Sequence, residues 1–163
     1  MARAAALAPA LQAGAALAQA PADASAYDRR AADWRNGAIV YQVLVDRFAP
    51  AADLAAKRHL YPPPKVLRRW DEPARRGVHR DDLRLNSQEL DFWGGDLASL
   101  SGRLDHVRTL AVDVLYLNPI HLAYTNHKYD ALDFQQVSPE FGSRDDFRRL
   151  AQQAHAMGLK VVL

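Results

Sequence analysis

Three apolar runs, separated by two stretches with helical periodicity, dominate the pattern of residues 38–163. The runs are residues 38–45, 112–117 and 159–163, and each is rich in β-branched and other apolar side chains. Runs that are apolar on both faces are typical of strands buried in a parallel sheet. Their alternation with helices predicts an α/β protein.

Apolar side chains recur every three or four residues between these runs, as they do on one face of a helix. For the first predicted helix they are Leu97, Leu100, Leu104, Val107 and Leu110. For the second predicted helix they are Phe147, Leu150, Ala151, Ala154 and Met157. The pattern therefore places one helix before the second strand and another before the third.

Polar residues and a glycine mark the ends of these helices. Either Asp96 or Ser99 is placed to cap the start of the first helix. Ser143, followed three residues later by Asp146, has the spacing of a capping box for the second, with Asp in place of the usual Glu or Gln. Gly158 is expected to end the second helix as its C-terminal cap residue.

Residues 49–93 form a long connection between the first strand and the first helix. A run of three prolines at residues 62–64 makes part of it stiff and extended. Because structureless loops of this length are uncommon in compact domains, the segment is either a small subdomain or a functional lid. The adjacent Gly94 and Gly95 then predict a sharp turn before the helix.

The strand and helix pattern leaves two architectures open. The three strands are either the opening part of a (β/α)8 barrel, which usually needs about 250 residues, or a short open sheet that is complete in 163 residues.

Composition narrows the class of protein. With 49% hydrophobic and 25% charged residues, the chain has the balance of an ordinary globular domain. The net charge of +2 is spread along the chain with no long basic run, which argues against a nucleic-acid partner. The absence of cysteine excludes a disulfide framework and a zinc–cysteine site. No apolar run approaches the roughly 18 residues that a membrane span needs.

Residues 1–26 are dominated by alanine, and we expect the folded part to begin at residue 27. Arg3 and the apolar stretch after it fit a secretory signal peptide, whereas Pro9 and Gly14 interrupt that pattern and fit an Ala-rich leader. A signal peptide predicts a periplasmic or secreted protein, and its absence predicts a cytoplasmic one.

Residues 118–130 hold the densest group of chemically active side chains in the sequence. They include two histidines, one lysine, two tyrosines and one aspartate. The segment follows the apolar run 112–117, and loops at strand ends are where binding and catalytic groups tend to lie. If that run is a barrel strand, the loop belongs to the face that carries active sites.

A series of short motifs between residues 37 and 163 resembles the α-amylase superfamily of glycoside hydrolases, and within it the neopullulanase and cyclomaltodextrinase group. The motifs, in the family's order, are Tyr41-Gln42, Asp46-Arg47-Phe48, Phe92-Trp93-Gly94-Gly95-Asp96-Leu97, Leu115-Tyr116-Leu117-Asn118-Pro119-Ile120, Asn126-His127-Lys128-Tyr129-Asp130, Asp133-Phe134, Pro139-Glu140-Phe141-Gly142, Asp146-Phe147, Ala154-His155 and Gly158-Leu159-Lys160-Val161-Val162-Leu163. Each motif is weak by itself, but six or more in one order are hard to obtain by chance.

The resemblance implies that residues 27–163 are the N-terminal portion, about three βα units, of a (β/α)8 TIM barrel. It also implies retaining hydrolysis of α-1,4 or α-1,6 glucosidic bonds in starch-like or maltodextrin substrates. That chemistry needs two carboxyl groups about 5 Å apart. In the family they come from the fourth and fifth strands, so we expect no catalytic residue in this chain.

The resemblance also implies a substrate-binding set of Tyr129, Asp130 and His127. Tyr129 matches the family tyrosine that stacks on a sugar ring, for which an aromatic face is well suited. The alternative is that Tyr129 is only a half-buried loop aromatic. Asp130 and His127 are expected to brace the loop rather than to contact the sugar, and Lys128 is expected to form a salt bridge within it.

A calcium site is a further implication, because many relatives hold calcium between the loop after the first strand and the Gly-Gly-Asp turn. Gly94, through its carbonyl, and Asp96 match the second half of that site, and Asp53 is the one carboxylate available for the first half. In the alternative, Asp96 is a helix cap and no metal is bound.

Three functional hypotheses follow. The chain is the N-terminal part of an α-glucan hydrolase, a non-catalytic carbohydrate-binding remnant that uses Tyr129 and Trp93 as sugar platforms, or an inactive truncated product. An α-glucan is the expected partner in the first two.

Overall fold

The computed structural model describes residues 24–163, which fall into two compact units that meet in sequence between Asn36 and Gly37. The first unit contains helix α1, Ala24–Ala32. The signal-peptide or leader prediction for residues 1–26 lies almost wholly outside the described residues. No helix in the described part of the chain combines the length and apolar character that crossing a membrane requires.

The second unit, Gly37–Leu163, contains every other element of the described chain. In chain order its strands are β1 Val40–Val43, β2 Val66–Leu67, β3 His79–Arg80, β4 Leu85–Asn86, β5 Asp91–Phe92, β6 Val114–Leu117, β7 His121–Ala123, β8 Ala131–Val137 and β9 Lys160–Val162. Its α-helices are α2 Leu97–Ser101, α3 Leu104–Thr109 and α4 Arg144–Ala156. Short 3-10 turns cover Val45–Arg47, Arg58–Leu60 and Ser87–Leu90.

The three predicted strands form one parallel sheet in the order β1-β6-β9, with β6 in the centre. Val43 lies opposite Leu117, and Tyr116 lies opposite Val162. This confirms the α/β class and the parallel pairing. Because the strands are parallel, their carboxyl ends lie at one edge of the sheet, and the segments that follow β1 and β6 leave from that edge.

The prediction that the strands are buried on both faces is correct for β6 and wrong for β1. Three of the four residues of β6 are buried, whereas the side chain of Val40 in β1 is 55% exposed. The reason is positional, because β6 has a strand on each side and β1 has a neighbour on one side only among the described residues.

The core lies between this sheet and helices α2, α3 and α4. It contains Val43, Val45, Leu97, Leu100, Leu104, Val107, Leu115, Leu117, Ile120, Phe141, Leu150, Ala154 and Leu159. Six of these thirteen residues are periodic helix positions and five lie in the three apolar runs, so the apolar pattern of the sequence correctly identified most of the core. Shortening one such leucine to alanine typically costs 2–5 kcal/mol, roughly, of stability.

The first predicted helix is in fact two short helices. Gly102 ends α2, and its N–H donates to the carbonyl of Ala98, while Arg103 leaves the helical conformation before α3 begins. Leu110 falls beyond α3 and is 42% exposed, so its placement on the buried face was wrong.

The predicted caps are confirmed. The Asp96 carboxylate accepts from the N–H of Ser99, and the N–H of Asp96 donates back to the Ser99 hydroxyl. Ser143 and Asp146 make the same reciprocal pair at the start of α4. Gly158 has φ +84°, the left-handed conformation expected after a helix.

The antiparallel hairpin β7–β8 was not predicted from the sequence. None of the seven residues of β8 is buried, and its larger apolar side chains, Leu132 and Phe134, are 71% and 70% exposed. A buried apolar face, which is the usual signal of a strand, is therefore missing.

The long connection of residues 49–93 carries two small strand pairs. Strand β2 pairs in parallel with β5, and β3 pairs antiparallel with β4. The whole connection lies in the same compact unit as the central sheet.

Candidate functional site

Residues 124–130, which we call the Tyr129 loop, connect β7 to β8 just beyond the carboxyl end of β6. The loop is short and polar, yet its backbone is closely held by its own side chains. Each of these side chains has a partner that is set by the fold.

Asp130 closes the loop on itself. Its carboxylate accepts from the backbone N–H groups of Tyr124 and Thr125, both at 3.1 Å, and from the Thr125 hydroxyl. Burial alone would raise the pKa of Asp130, but these hydrogen bonds hold the pKa below its ordinary value. The carboxyl is therefore ionised at neutral pH and fully used within the loop.

Asn126 ties the loop to the segment before β5. It is buried, and its side-chain amide donates to the carbonyls of Gln88 and Asp91 at 2.7 and 2.8 Å. Its backbone N–H donates to the carbonyl of Glu89 at 2.8 Å. These bonds join two parts of the chain that are more than thirty residues apart in sequence.

His127 joins the same two parts of the chain through its imidazole. The N–H of Tyr129 donates to its Nδ1 at 3.1 Å, and its Nε2 lies 3.3 Å from Oε2 of Glu89. Because Nδ1 accepts, the proton belongs on Nε2, where it points to the Glu89 carboxylate. His127 therefore fixes the backbone at Tyr129, which is the bracing role expected of it.

The side chain of Lys128 extends from the loop into the protein and is fully buried. Its ammonium is 3.3 Å from Oε2 of Glu140 and donates to the carbonyl of Ala123 at 3.2 Å. Lys128 therefore forms a salt bridge as predicted, but with a buried partner outside the loop rather than within it. Burial lowers the pKa of Lys128, and the Glu140 charge opposes that shift.

The Glu140 carboxylate also contacts a second ammonium group and a hydroxyl. Lys65 contacts Oε1 of Glu140, and Ser138 donates to Oε2. Burial alone would raise the pKa of Glu140, but the charge of Lys128 and the bonds from Lys65 and Ser138 hold it below its usual range. Both ammoniums also lie 5.3 Å from the centre of the Phe92 ring, which adds cation–π attraction.

Tyr129 lies above these buried charged groups, and 60% of its surface is exposed. Lys128 has φ +61°, an uncommon left-handed conformation for a residue with a side chain, and this turns the chain so that Tyr129 follows on the open side. The His127 and Tyr129 rings are 5.8 Å apart. The structure thus brings together Tyr129, Asp130 and His127, with only Tyr129 well exposed.

The sequence did not reveal the partners that hold this loop. Glu89, Glu140 and Lys65 lie 10 to 59 residues from the loop in sequence, and no local pattern links them to it. The cluster Asn126-His127-Lys128-Tyr129-Asp130 was the only signal for this site, and it located the site but not its support.

A second buried carboxylate, Asp46, holds the turn at residues 93–95. It follows β1 and accepts from the N–H groups of Trp93 and Gly94 at 2.9 Å. Burial raises its pKa to about 6, although those two N–H groups and the more distant charges of Arg47 and Lys128 oppose the shift. Gly95 has no room for a side chain here, because an added Cβ would lie 2.3 Å from the carbonyl oxygen of Val45.

Trp93 is not an exposed sugar platform, contrary to one sequence hypothesis. It is only 6% exposed, its indole N–H donates to the carbonyl of Glu72, and the Arg47 guanidinium covers its ring at 4.1 Å. Its face is therefore occupied by the protein.

The predicted calcium ligands come together in part. Pro50 forms an isolated bridge with Gly95, so the segment after β1 does reach the glycine turn. However, Oδ2 of Asp96 is 2.9 Å from the Lys57 ammonium, and the Asp53 carboxylate accepts from the N–H of Ala56. The described residues include no group of three or more His, Asp and Glu side chains arranged to hold a metal. This donor set does not fit a calcium ion.

Comparison with known proteins agrees with the motifs. The family model described as "Alpha amylase, catalytic domain" matches residues 42–163. Neopullulanase 2 of Thermoactinomyces vulgaris is 34% identical over 134 residues, covering 80% of this chain and 19% of the relative. An amylopullulanase of Thermoanaerobacterium saccharolyticum is 34% identical over 144 residues, covering 80% of this chain and 11% of the relative.

Solved structures give the same result. The cyclic α-maltosyl-(1→6)-maltose hydrolase of Arthrobacter globiformis, in complex with that cyclic sugar, superposes with a TM-score of 0.58 and 34% identity. The match covers 80% of this chain and 25% of that structure. The chain therefore spans only a minor part of the relatives it matches. Since the family match covers well over half of the chain, including β6, β9, helices α2 to α4 and the Tyr129 loop, the chain belongs to the α-amylase catalytic domain family of glycoside hydrolases.

Proposed function

We propose that this chain is the N-terminal portion, about three βα units, of the (β/α)8 barrel of a retaining α-glucan hydrolase. The observation that carries the proposal is Tyr129, which is 60% exposed on a loop held from below by buried polar groups. Such a ring offers an apolar face to a pyranose while its position is fixed before the sugar binds.

The proposed substrate is an α-1,4 or α-1,6 linked glucan. Support comes from the relatives, whose names include pullulanases, and from the hydrolase that was solved with a cyclic maltosyl-maltose. In this proposal Tyr129 stacks on a glucose ring, while Asp130 and His127 hold the loop and make no direct sugar contact.

The 163 residues supply binding but not the bond-breaking step. Retaining hydrolysis needs a nucleophilic carboxylate and an acid about 5 Å apart. The three buried carboxylates of the described residues are occupied, since Asp46 binds backbone N–H groups, Asp91 pairs with Arg68 and Glu140 binds two lysines. In the family pattern the reacting carboxylates come from later strands, so this chain alone is proposed to hydrolyse no glucan.

The test is binding of maltoheptaose by the 163-residue chain, measured by calorimetry or by NMR titration. Tyr129→Ala should weaken binding about fivefold or more, because an aromatic contact is worth roughly 1 kcal/mol. Tyr27→Ala is the matched control, since Tyr27 is similarly exposed at 69% but lies on α1. Equal affinity in the wild type and the Tyr129 variant would exclude the platform role.

Hydrolysis is assayed separately by the release of reducing ends from maltoheptaose and pullulan. We expect none from the isolated chain. Measurable turnover by a clean preparation would show that the carboxylates needed for catalysis lie within these 163 residues. The same assay distinguishes a hydrolase part from a binding remnant when it is applied to any longer protein that contains this chain.

A further inference from the structure

Two segments that the resemblance would join through calcium are joined here by contacts within the protein. The segment of residues 49–57, which we call the Lys57 loop, lies against the turn of residues 94–96. Pro50 bridges Gly95, and the Ser99 hydroxyl donates to the carbonyl of Ala49 at 2.9 Å. The Lys57 loop and the turn of residues 94–96 are therefore in contact, and we call this contact the junction. It contains one acidic side chain whose charge must be neutralised.

Asp96 is that side chain, and each of its carboxylate oxygens has a partner. Oδ1 accepts from the N–H of Ser99 at 2.7 Å as the helix cap, and Oδ2 is 2.9 Å from the ammonium of Lys57. Both side chains are mostly buried, with 18% of Lys57 and 14% of Asp96 exposed. At that distance and burial, a charged hydrogen bond is stronger than one between neutral groups.

The remaining groups of the junction do not resemble a cation site. Asp53, the other candidate carboxylate, is exposed and accepts the N–H of Ala56 at 2.9 Å. Leu54 fills the space beside Gly94, because an added Cβ there would lie 2.1 Å from its Cδ1. Calcium is usually bound by six to eight oxygens, whereas here an ammonium and an isobutyl side chain lie against the turn.

We propose that Lys57 supplies the positive charge of this junction, so that the chain fastens the Lys57 loop to the Gly94–Asp96 turn with its own ammonium instead of a bound divalent cation. A lysine ammonium is a compact point charge with three donors, and it can satisfy a carboxylate oxygen without ordering further ligands. The loop after β1 is then held at all calcium concentrations.

Solvent access makes the proposal testable. Lys57, Asp53 and Asp96 line the same open cleft, of about 710 Å³, so a cation added to the solution can reach both carboxylates. The experiment measures the midpoint of thermal unfolding of the 163-residue chain in about 5 mM CaCl2 and again in excess EDTA. The wild type should show the same midpoint, within about 1 °C, in both.

Lys57→Met removes the ammonium and keeps the aliphatic stem. It should lower the midpoint by about 3 °C or more, because Asp96 loses its partner in a mostly buried place. Lys160→Met is the matched control, since Lys160 is exposed, and it should change the midpoint by less than about 1 °C. The loss at Lys57 should nearly vanish in an Asp96→Asn background, where the cap oxygen remains and the charge is gone.

Either of two results would overturn the proposal. One is a wild-type midpoint that rises by several degrees with calcium and falls with EDTA. The other is a Lys57→Met variant that is as stable as the wild type, or equally destabilised whether residue 96 is Asp or Asn.

Discussion

Two buried carboxylates, Glu140 beneath the Tyr129 loop and Asp46 beneath the glycine turn, lie in opposite electrostatic situations. Glu140 contacts Lys65 and Lys128, and its pKa is held below the ordinary value. Asp46 is just as buried but is held chiefly by backbone N–H groups, with the nearest guanidinium nitrogen 3.8 Å away, and burial raises its pKa to about 6.

The difference shows that burial alone does not decide the state of a carboxyl group. A full counter-charge at Glu140 outweighs the loss of hydration, whereas the partial charges of two N–H groups at Asp46 do not. The first arrangement fixes a charged base under an exposed tyrosine. The second holds a backbone turn and leaves a carboxyl group with a raised pKa of about 6.

The largest expected effect is at Glu140. Glu140→Gln keeps the shape and removes the charge, so that two buried ammoniums lose their common partner. We expect the free energy of unfolding at pH 7 to fall by about 3–5 kcal/mol, measured by urea denaturation. Asp105→Asn is the control, since Asp105 makes only an exposed pair with Arg108, and it should change stability by less than about 0.5 kcal/mol. A small loss in Glu140→Gln would mean that the two lysines are already neutral or hydrated.

An intermediate effect is expected at Asp46, and it depends on pH. Because its folded pKa of about 6 exceeds the unfolded value of 3.8, the folded state binds the proton more tightly. Its contribution to stability is therefore complete below about pH 4 and is lost as pH rises through 6, a change of about 2–3 kcal/mol.

The variant Asp46→Asn isolates that change. Urea denaturation of both proteins is measured from about pH 4.5 to about pH 7.5. As pH rises, the free energy of unfolding of the variant should increase relative to that of the wild type by about that amount. The carboxylates with lowered pKa values, Glu140 among them, act in the opposite direction at lower pH, and the difference between the two proteins cancels their contribution. A difference that stays constant with pH would show that the backbone N–H groups suffice to keep Asp46 charged.

The smallest expected effect is at Thr125, which completes the Tyr129 loop. Thr125→Val keeps the shape but removes the hydroxyl that donates to Asp130, so we expect a loss of about 1–2 kcal/mol. Binding of maltoheptaose should weaken at the same time, since the loop would hold Tyr129 less firmly. Ala52→Ser, in the exposed part of the Lys57 loop, is the control and should alter neither property. Unchanged binding in Thr125→Val would separate the bracing bonds from the sugar contact.

Local patterns in the sequence predicted those features whose causes are local. The helical faces of α4 and of α2 with α3 and the Asp96 and Ser143 caps follow from residues a few positions apart. The alternation of apolar runs with helices predicted the parallel sheet, although not the order of its strands. The hairpin β7–β8 and the break at Gly102 were missed, the first because β8 buries so little and the second because one glycine interrupts an otherwise continuous period.

The sequence by itself determined that this is an α/β chain with the motifs of a glycoside hydrolase family and that the Tyr129 loop is its richest chemical segment. Only the tertiary structure decided which side chain of that loop is exposed and what holds it. Glu140 meets Lys65 from 75 residues away, and Glu89 meets His127 from 38 residues away. The same is true of Lys57, which reaches Asp96 across 39 residues. Such pairs depend on the path of the whole chain, because a charge selects a buried partner by distance in space and not by spacing in sequence.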